Sequence, residues 1–178
     1  MTIDGKQALK WYKLAADQGH AASEYAIGLL YFTGSPGISQ NIPDAIEWYQ
    51  RAAQRGLADA QNSLGVIYAE GHGVPVNLKE AVKWYTSAAE QGHAVSQANL
   101  ATMYRYGQGV KQDNIRAYKW YAIAGAQFAM SNVGMKVASD ISKQKIAQSM
   151  SPGDIAKAKK EADAWLEKNG VLVASDLN

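Results

Sequence analysis

The nonapeptide from Trp48 to Gly56, WYQRAAQRG, is one of four related copies, and the regular interval between them constrains the fold more than any other feature of the chain. WYKLAADQG begins at Trp11, WYTSAAEQG at Trp84, and a worn copy, WYAIAGAQF, at Trp120. The four tryptophans stand 37, 36 and 36 residues apart. Self-similarity at a period in the thirties marks a stacked repeat architecture, in which each unit covers an apolar face that its neighbour cannot bury alone.

Each interval reads as a pair of helices. Ahead of the Trp-Tyr pairs stand Asp4, Asn41, Asn77 and Asp113, residue types whose side chains accept hydrogen bonds from the free N–H groups of a first helical turn. Gln7, Asp44 and Glu80 follow three positions on, resembling a capping box that Arg116 breaks in the last copy. Gly19, Gly56 and Gly92 stand where these helices should stop in a left-handed turn. Second helices are predicted over roughly 21–33, 58–70 and 94–106, with Ile27-Gly28 and Tyr31, Leu64-Gly65 and Tyr68, and Leu100-Ala101 and Tyr104 at matching places. The small residues there let a neighbouring helix come close, as do Ala15-Ala16, Ala52-Ala53 and Ala88-Ala89 on the first helices. The same reasoning predicts that Trp48 and Trp84 are buried between units, each contributing on the order of 1.5–3 kcal/mol.

The pattern A-x-x-L-G-x-x-Y-x-x-G-x-G-V, then A-x-x-W-Y-x-x-A-A-x-x-G, resembles the Sel-1-like repeat, a relative of the tetratricopeptide repeat. It stands most completely as Ala60, Leu64, Gly65, Tyr68, Gly71, Gly73, Val74, Ala81, Trp84, Tyr85, Ala88, Ala89 and Gly92. Read against it, a single solenoid domain over 1–178 comprises a half repeat at 4–19 and repeats at 21–56, 58–92 and 94–127, then a C-terminal cap at 129–168 and a tail at 169–178. Departures are the extra residue in Gly34-Ser35-Pro36-Gly37, Ala101 in place of Gly, and Gly125 and Phe128 in the worn copy. The resemblance implies an all-α, right-handed α/α superhelix that acts as a protein-binding scaffold.

Beyond the repeats, 129–149 reads as helical, as one helix or two. Ser151-Pro152-Gly153-Asp154 then opens a helix with a serine cap and proline in its first turn. Its apolar stripe is Ile155, Ala158, Ala162, Trp165 and Leu166, the form expected of an end cap, and Asn169-Gly170 closes it. A similar trailing helix commonly closes bacterial members of the family. The last residues, VLVASDLN, read as a loosely held tail.

Composition narrows the function classes. A hydrophobic content of 47% supplies a core, and a formal net charge of +2 supplies no strong electrostatic footprint for nucleic acid or an anionic membrane. No cysteine is present, which removes disulfides, thiolate metal sites and cysteine nucleophiles. No apolar run approaches the ~18 residues needed for a membrane span. MTIDGKQALKWY lacks the basic and apolar segments of a signal peptide. The expectation is a soluble, cytoplasmic chain favouring the monomer, or a periplasmic or secreted one if a signal peptide preceded it.

Residue patterns for chemistry are absent. Gly71-His72-Gly73 and Gly107-Gln108-Gly109 follow helices, not strands, and read as turns, not phosphate loops. His20 and His93 occupy one position in two repeats and read as helix starts, with no further donors in sequence to complete a zinc site. No carboxylate pair or nucleophile elbow stands out, so no catalytic residue, cofactor or metal is assigned and the chain is read as non-enzymatic. The rival class is a hydrolase acting on a cell-wall polymer, and a further alternative is a toxin-neutralising immunity protein.

The partner, another protein or peptide, is expected on the helix face that the repeat pattern leaves unused, which lines the concave groove in related tetratricopeptide arrays. Its candidate residues are Tyr25, Leu29 and Phe32 in the first unit, Asn62, Val66 and Glu70 in the second, and Thr102, Arg105 and Tyr106 in the third. The first stripe is unusually apolar. Either the half unit or a preceding repeat covers it, or it is a groove for a partner.

Overall fold

The computed structural model describes residues 5–128 and 132–171. Its helices are α1 (Gly5–Ala16), α2 (Ala21–Thr33), α3 (Ile42–Gln54), α4 (Ala58–Glu70), α5 (Leu78–Glu90), α6 (Ala94–Tyr106), α7 (Asn114–Phe128), α8 (Val133–Ala147) and α9 (Pro152–Lys168). They fall into two compact units, Met1–Ala88 and Ala89–Asn178. In unit 1, α1 packs on α2, α2 on α3, and α3 on α4; in unit 2, α7 packs on α6, α8 and α9.

The helix boundaries follow from the caps. Asn41, Asn77 and Asp113 accept the N–H groups of Asp44, Glu80 and Arg116 at 3.2, 3.1 and 2.9 Å. Asp4, the fourth expected cap, lies outside the described residues. The reciprocal arm of a capping box is not used. Instead the N–H groups of Asn41, Asn77 and Asp113 donate to the carbonyls of Tyr31, Tyr68 and Tyr104, at 2.8, 2.8 and 2.9 Å, which ties each first helix to the end of the second helix before it. Gly19, Gly56 and Gly92, at φ of 81°, 90° and 89°, end the first helices in the left-handed region.

Packing turns on one contact that recurs. The ring of Tyr49 lies over Gly28, where a Cβ would come 2.6 Å from the ring, and the ring of Tyr85 lies over Gly65, where it would come 2.5 Å. In unit 2 Ala101 takes the glycine's place, and the hydroxyl of Tyr121 meets Thr102 Oγ1 at 2.7 Å. Around each tyrosine, alanines four residues before and three after (Ala45 and Ala52, Ala81 and Ala88, Ala117 and Ala124) complete a fully buried seam. Tyr49, Tyr85 and Tyr121 are 2%, 4% and 5% exposed. Tyr12 stands in the same register on α1 with Ala8 and Ala15 beside it, yet it is 38% exposed and Trp11 is more so.

The expected burial of Trp48 and Trp84 needs correction. Both indoles are only half-buried, and the tyrosine that follows each one faces the core. Residues adjacent on a helix differ by ~100°, so the glycine notch accepts one ring of the pair and leaves the other at the margin. There a cation covers the indole: the Arg51 guanidinium lies 4.2 Å from the Trp48 ring and the Lys83 ammonium 5.3 Å from Trp84. Trp120 is the exception, buried edge-on against Trp165 of α9 at 6.1 Å.

A second recurring feature is polar. Gln61 and Gln97, both buried, donate their side-chain amides to Ala53 and Ala89 carbonyls at 3.1 Å. Those carbonyls also receive the N–H groups of Gly56 and Gly92, so each amide adds a second hydrogen bond at the helix end. The equivalent residue in the first repeat is Glu24, fully buried. A carboxylate has no proton for a carbonyl, and two cations take its charge: Arg55 Nε donates to Oε2 at 3.0 Å and Arg51 Nε stands 3.3 Å from Oε1.

In unit 2, α7 runs on through Gly125 because the turn glycine of the other copies is Phe128 here, and Phe128 is buried. The 129–149 segment holds a helix, α8, opened by Asn132; residues 129–131 are outside the described region. Ser151 caps α9 by accepting from Asp154 N–H at 3.1 Å, and Ala158, Ala162 and Leu166 are buried as the stripe predicts. Of the expected tail, 172–178 lies outside the described residues.

Two stability predictions follow from these contacts. Tyr85→Ala is expected to lose about 3–5 kcal/mol as a buried aromatic truncation, Gly65→Ala about 1–3 kcal/mol through crowding of the ring, and Trp84→Ala clearly less than Tyr85→Ala. Urea unfolding of the three variants checks the order, and equal losses at Trp84 and Tyr85 would refute it. For the charge cluster, replacing Arg51 and Arg55 together by Ala strands a buried carboxylate and should cost roughly 3–5 kcal/mol. Glu24→Gln, which makes this position match Gln61 and Gln97, should cost little. If the double arginine variant melts with the wild type, the cluster carries no stability.

Candidate functional site

Seating Tyr49 on Gly28 places its ring between α2 and α4, where it forms the floor of a recess in unit 1. The recess has a volume of about 160 Å³ and is walled by Leu29 and Phe32 from α2 and by Asn62 and Val66 from α4. Tyr25 and Phe32 pack on the same phenol, with ring centroids 5.4 and 6.2 Å from it. Leu29 is exposed at the rim, an aliphatic side chain kept in water beside an apolar hollow. The stripe positions of the first two repeats are thus brought together, with Glu70 at the far end of α4.

A further side chain joins them that sequence reasoning set aside as part of a turn. His72 presents its ring to the edge of Phe32, 6.0 Å between centroids, and its Nε2 lies 2.7 Å from Glu70 Oε2. The turn itself is as expected, with Gly71 and Gly73 at φ of 78° and 74°. The signal for His72 lay in the turn geometry: a left-handed residue on either side swings the histidine back toward the helix end.

The third-repeat residues lie in unit 2. Thr102 is committed internally, to the Tyr121 hydroxyl and to the Ala98 carbonyl at 3.0 Å. Arg105 holds its guanidinium 5.0 Å from the ring of Tyr106, and Tyr106 is exposed. The Arg105 backbone carbonyl accepts the Gln112 side-chain amide at 2.9 Å, which fixes the helix end carrying both side chains.

Burial is the larger cause, and the Glu70 carboxylate the smaller, that pushes the Tyr85 phenol up to about 12. Burial, and secondarily Tyr25, raises Tyr49 as well. The other two histidines serve as helix starts: His93 Nδ1 accepts the Ser96 N–H at 3.1 Å, and His20 Nδ1 lies 2.8 Å from Ser23 Oγ. Among the described residues no three His, Asp or Glu side chains gather as donors to a metal would, and no helix is long and apolar enough to cross a membrane.

The repeating seams and the stitched helix ends are those of a known family. The Sel1 repeat model matches four times in succession, over residues 1–20, 21–57, 58–93 and 94–127. This chain belongs to the Sel1 repeat family. A Sel1 repeat protein from Oxalobacter formigenes shares 36% identity over 74% of this chain and 96% of its own, with a TM-score of 0.67. The protein c5321, a protective antigen present in uropathogenic Escherichia coli strains displaying an SLR fold, shares 26% identity over 90% of this chain and 40% of its own, at 0.52. The immunity protein Pa5087 from Pseudomonas aeruginosa is a more distant neighbour, at 16% identity over 87% of this chain and 74% of its own, with a TM-score of 0.35. No curated protein matches the chain. The fold is therefore an all-α solenoid of helical repeats, and a bacterial origin fits these neighbours. Sel1 repeats generally mediate protein–protein interaction and are typically non-catalytic.

The raised Tyr85 makes a pH prediction. Below pH 10 both folded and unfolded chains keep this phenol protonated and its contribution is whole. Between pH 10 and about 12 the unfolded chain releases the proton while the folded one holds it, so stability falls with rising pH. Tyr85→Phe should flatten that fall, and Glu70→Gln should bring the midpoint of the Tyr85 titration down. Tyrosinate absorbance and urea unfolding across this window provide the check; an unchanged profile in Tyr85→Phe would place the loss elsewhere.

Proposed function

We propose that the chain is a non-enzymatic adaptor that binds a segment of another protein on the α2–α4 face of unit 1. The observation that carries this reading is the recess floored by Tyr49, with Leu29 exposed at its rim and Phe32 and Val66 beside it. An apolar hollow of that size takes one side chain of a partner. The Glu70–His72 pair and Asn62 give directional hydrogen bonding at its border, the combination of anchor and polar rim that concentrates binding energy. Arg105 and Tyr106 form a separate candidate contact in unit 2, stacked and presented at a helix end.

Affinity capture with the wild-type chain and with Val66→Asp identifies partners that depend on the recess, and calorimetry then measures them singly. Leu29→Ala and Val66→Asp are expected to weaken the partner by ~2 kcal/mol or more, about thirtyfold, with circular dichroism unchanged. Arg105→Ala tests the unit 2 contact in the same assay. Unchanged affinity in both recess variants would remove the α2–α4 face from consideration.

A further inference from the structure

A second surface of unit 1 differs in chemistry from the recess and stands apart from the family's repeat pattern. It arises from two local departures, the residue inserted in 34–37 and the glycine that opens α1. In the next repeat the corresponding first residue is Ile42, whose side chain fills the space over Gly73; a Cβ there would come 2.3 Å from Ile42 Cγ2. Gly5 has nothing to insert, and a Cβ on it would come 2.6 Å from Ser35 Oγ and 2.9 Å from the Pro36 carbonyl. The loop tip therefore closes against the start of α1, with the Lys6 stem lying over Gly37. Farther along α1 the two part, leaving a cleft of about 660 Å³.

One wall of the cleft is charged. Lys6, Lys10 and Lys13 follow at steps of four and three, so all three ammonium groups line the same side of α1. Among the described residues no carboxylate lines the cleft, α1 contains none, and Lys10 and Lys13 make no ion pair. The floor is apolar, formed by Leu9, Tyr31 and Ile38. The facing wall is the 38–41 segment, anchored at one end by the Ser35–Ile38 bridge and at the other by Asn41 N–H on the Tyr31 carbonyl at 2.8 Å.

We propose that this cleft binds an extended acidic peptide segment of a partner protein, with Asp or Glu residues facing Lys10 and Lys13 and an apolar residue between them on Leu9, Tyr31 and Ile38. Charge complementarity selects the carboxylates, and the apolar floor distinguishes such a segment from a bare polyanion. Lysine supplies point charges without the fork that reads phosphate in two places at once, and no arginine lines the cleft. The ion pairs are exposed, so binding weakens as salt rises.

The test uses the full chain and a fluorescein-labelled heptapeptide, Asp-Glu-Leu-Asp-Phe-Glu-Asp, followed by fluorescence anisotropy at low salt. The expected result is saturable binding, weakened about tenfold or more by Lys10→Glu with Lys13→Glu, and weakened severalfold when the peptide's Leu and Phe become Gly at constant charge. Val66→Asp, in the recess, should leave it unchanged, so this site and the proposed function fail separately. Circular dichroism verifies α1; if reversed charge disturbs it, Lys10→Ala with Lys13→Ala gives the same reading. The proposal is overturned by absence of saturable binding, by indifference to the lysine variants, or by equal binding of the glycine peptide or of oligothymidylate, any of which reduces the cleft to an ion-exchange surface.

Discussion

A phenol ring set against a helix position with no side chain is the contact on which the rest of unit 1 depends. Tyr49 over Gly28 and Tyr85 over Gly65 bring two backbones closer than any larger residue permits, and closeness makes the flanking alanines sufficient to seal the seam. The same contact explains features that at first look unrelated. It consigns Trp48 and Trp84 to the margin under Arg51 and Lys83. It also leaves the Tyr49 ring as the floor on which Leu29, Phe32 and Val66 stand, so the element that holds the stack together also shapes the surface offered to a partner.

Most of the helical framework was legible in sequence because its punctuation is local. Asn41, Asn77, Asp113 and Ser151 act within one turn of themselves, and Gly19, Gly56 and Gly92 need only their own backbone. The choice between Trp and Tyr for the core was not legible. Both lie within reach of the alanine face on a helical wheel, and only the notch on the preceding helix decides between them. His72 joins the recess through the path of a turn, and the α1 cleft exists because Gly5 and Ser35 meet across thirty residues; neither relation has a sequence period. The stripe in the first two repeats was legible as a face, whereas its hollow depends on how far the Tyr49 ring reaches between two helices.

The buried polar position at 24, 61 and 97 shows how a repeat can vary chemistry without changing geometry. Gln61 and Gln97 tie a second helix to a helix terminus with a neutral hydrogen bond, which leaves no charge to neutralise. Glu24 at the same place pairs with Arg51 and Arg55, whose side chains stay partly in solvent, and the Arg55 guanidinium lies over Gly19. One repeat thus converts a local backbone requirement into a charged link between α2 and the last turn of α3.

The unsealed seam on α1 has an architectural meaning. Ala8, Tyr12 and Ala15 present the surface that α3, α5 and α7 bury, in the same order and spacing, so the first helix carries the same coupling as the others. A modular system with a standard coupling treats its length as a variable. Whole units of about 36 residues can be joined at that helix with no change to any residue already there, and the reach of such an array can evolve, or be engineered, independently of the surface that recognises a partner.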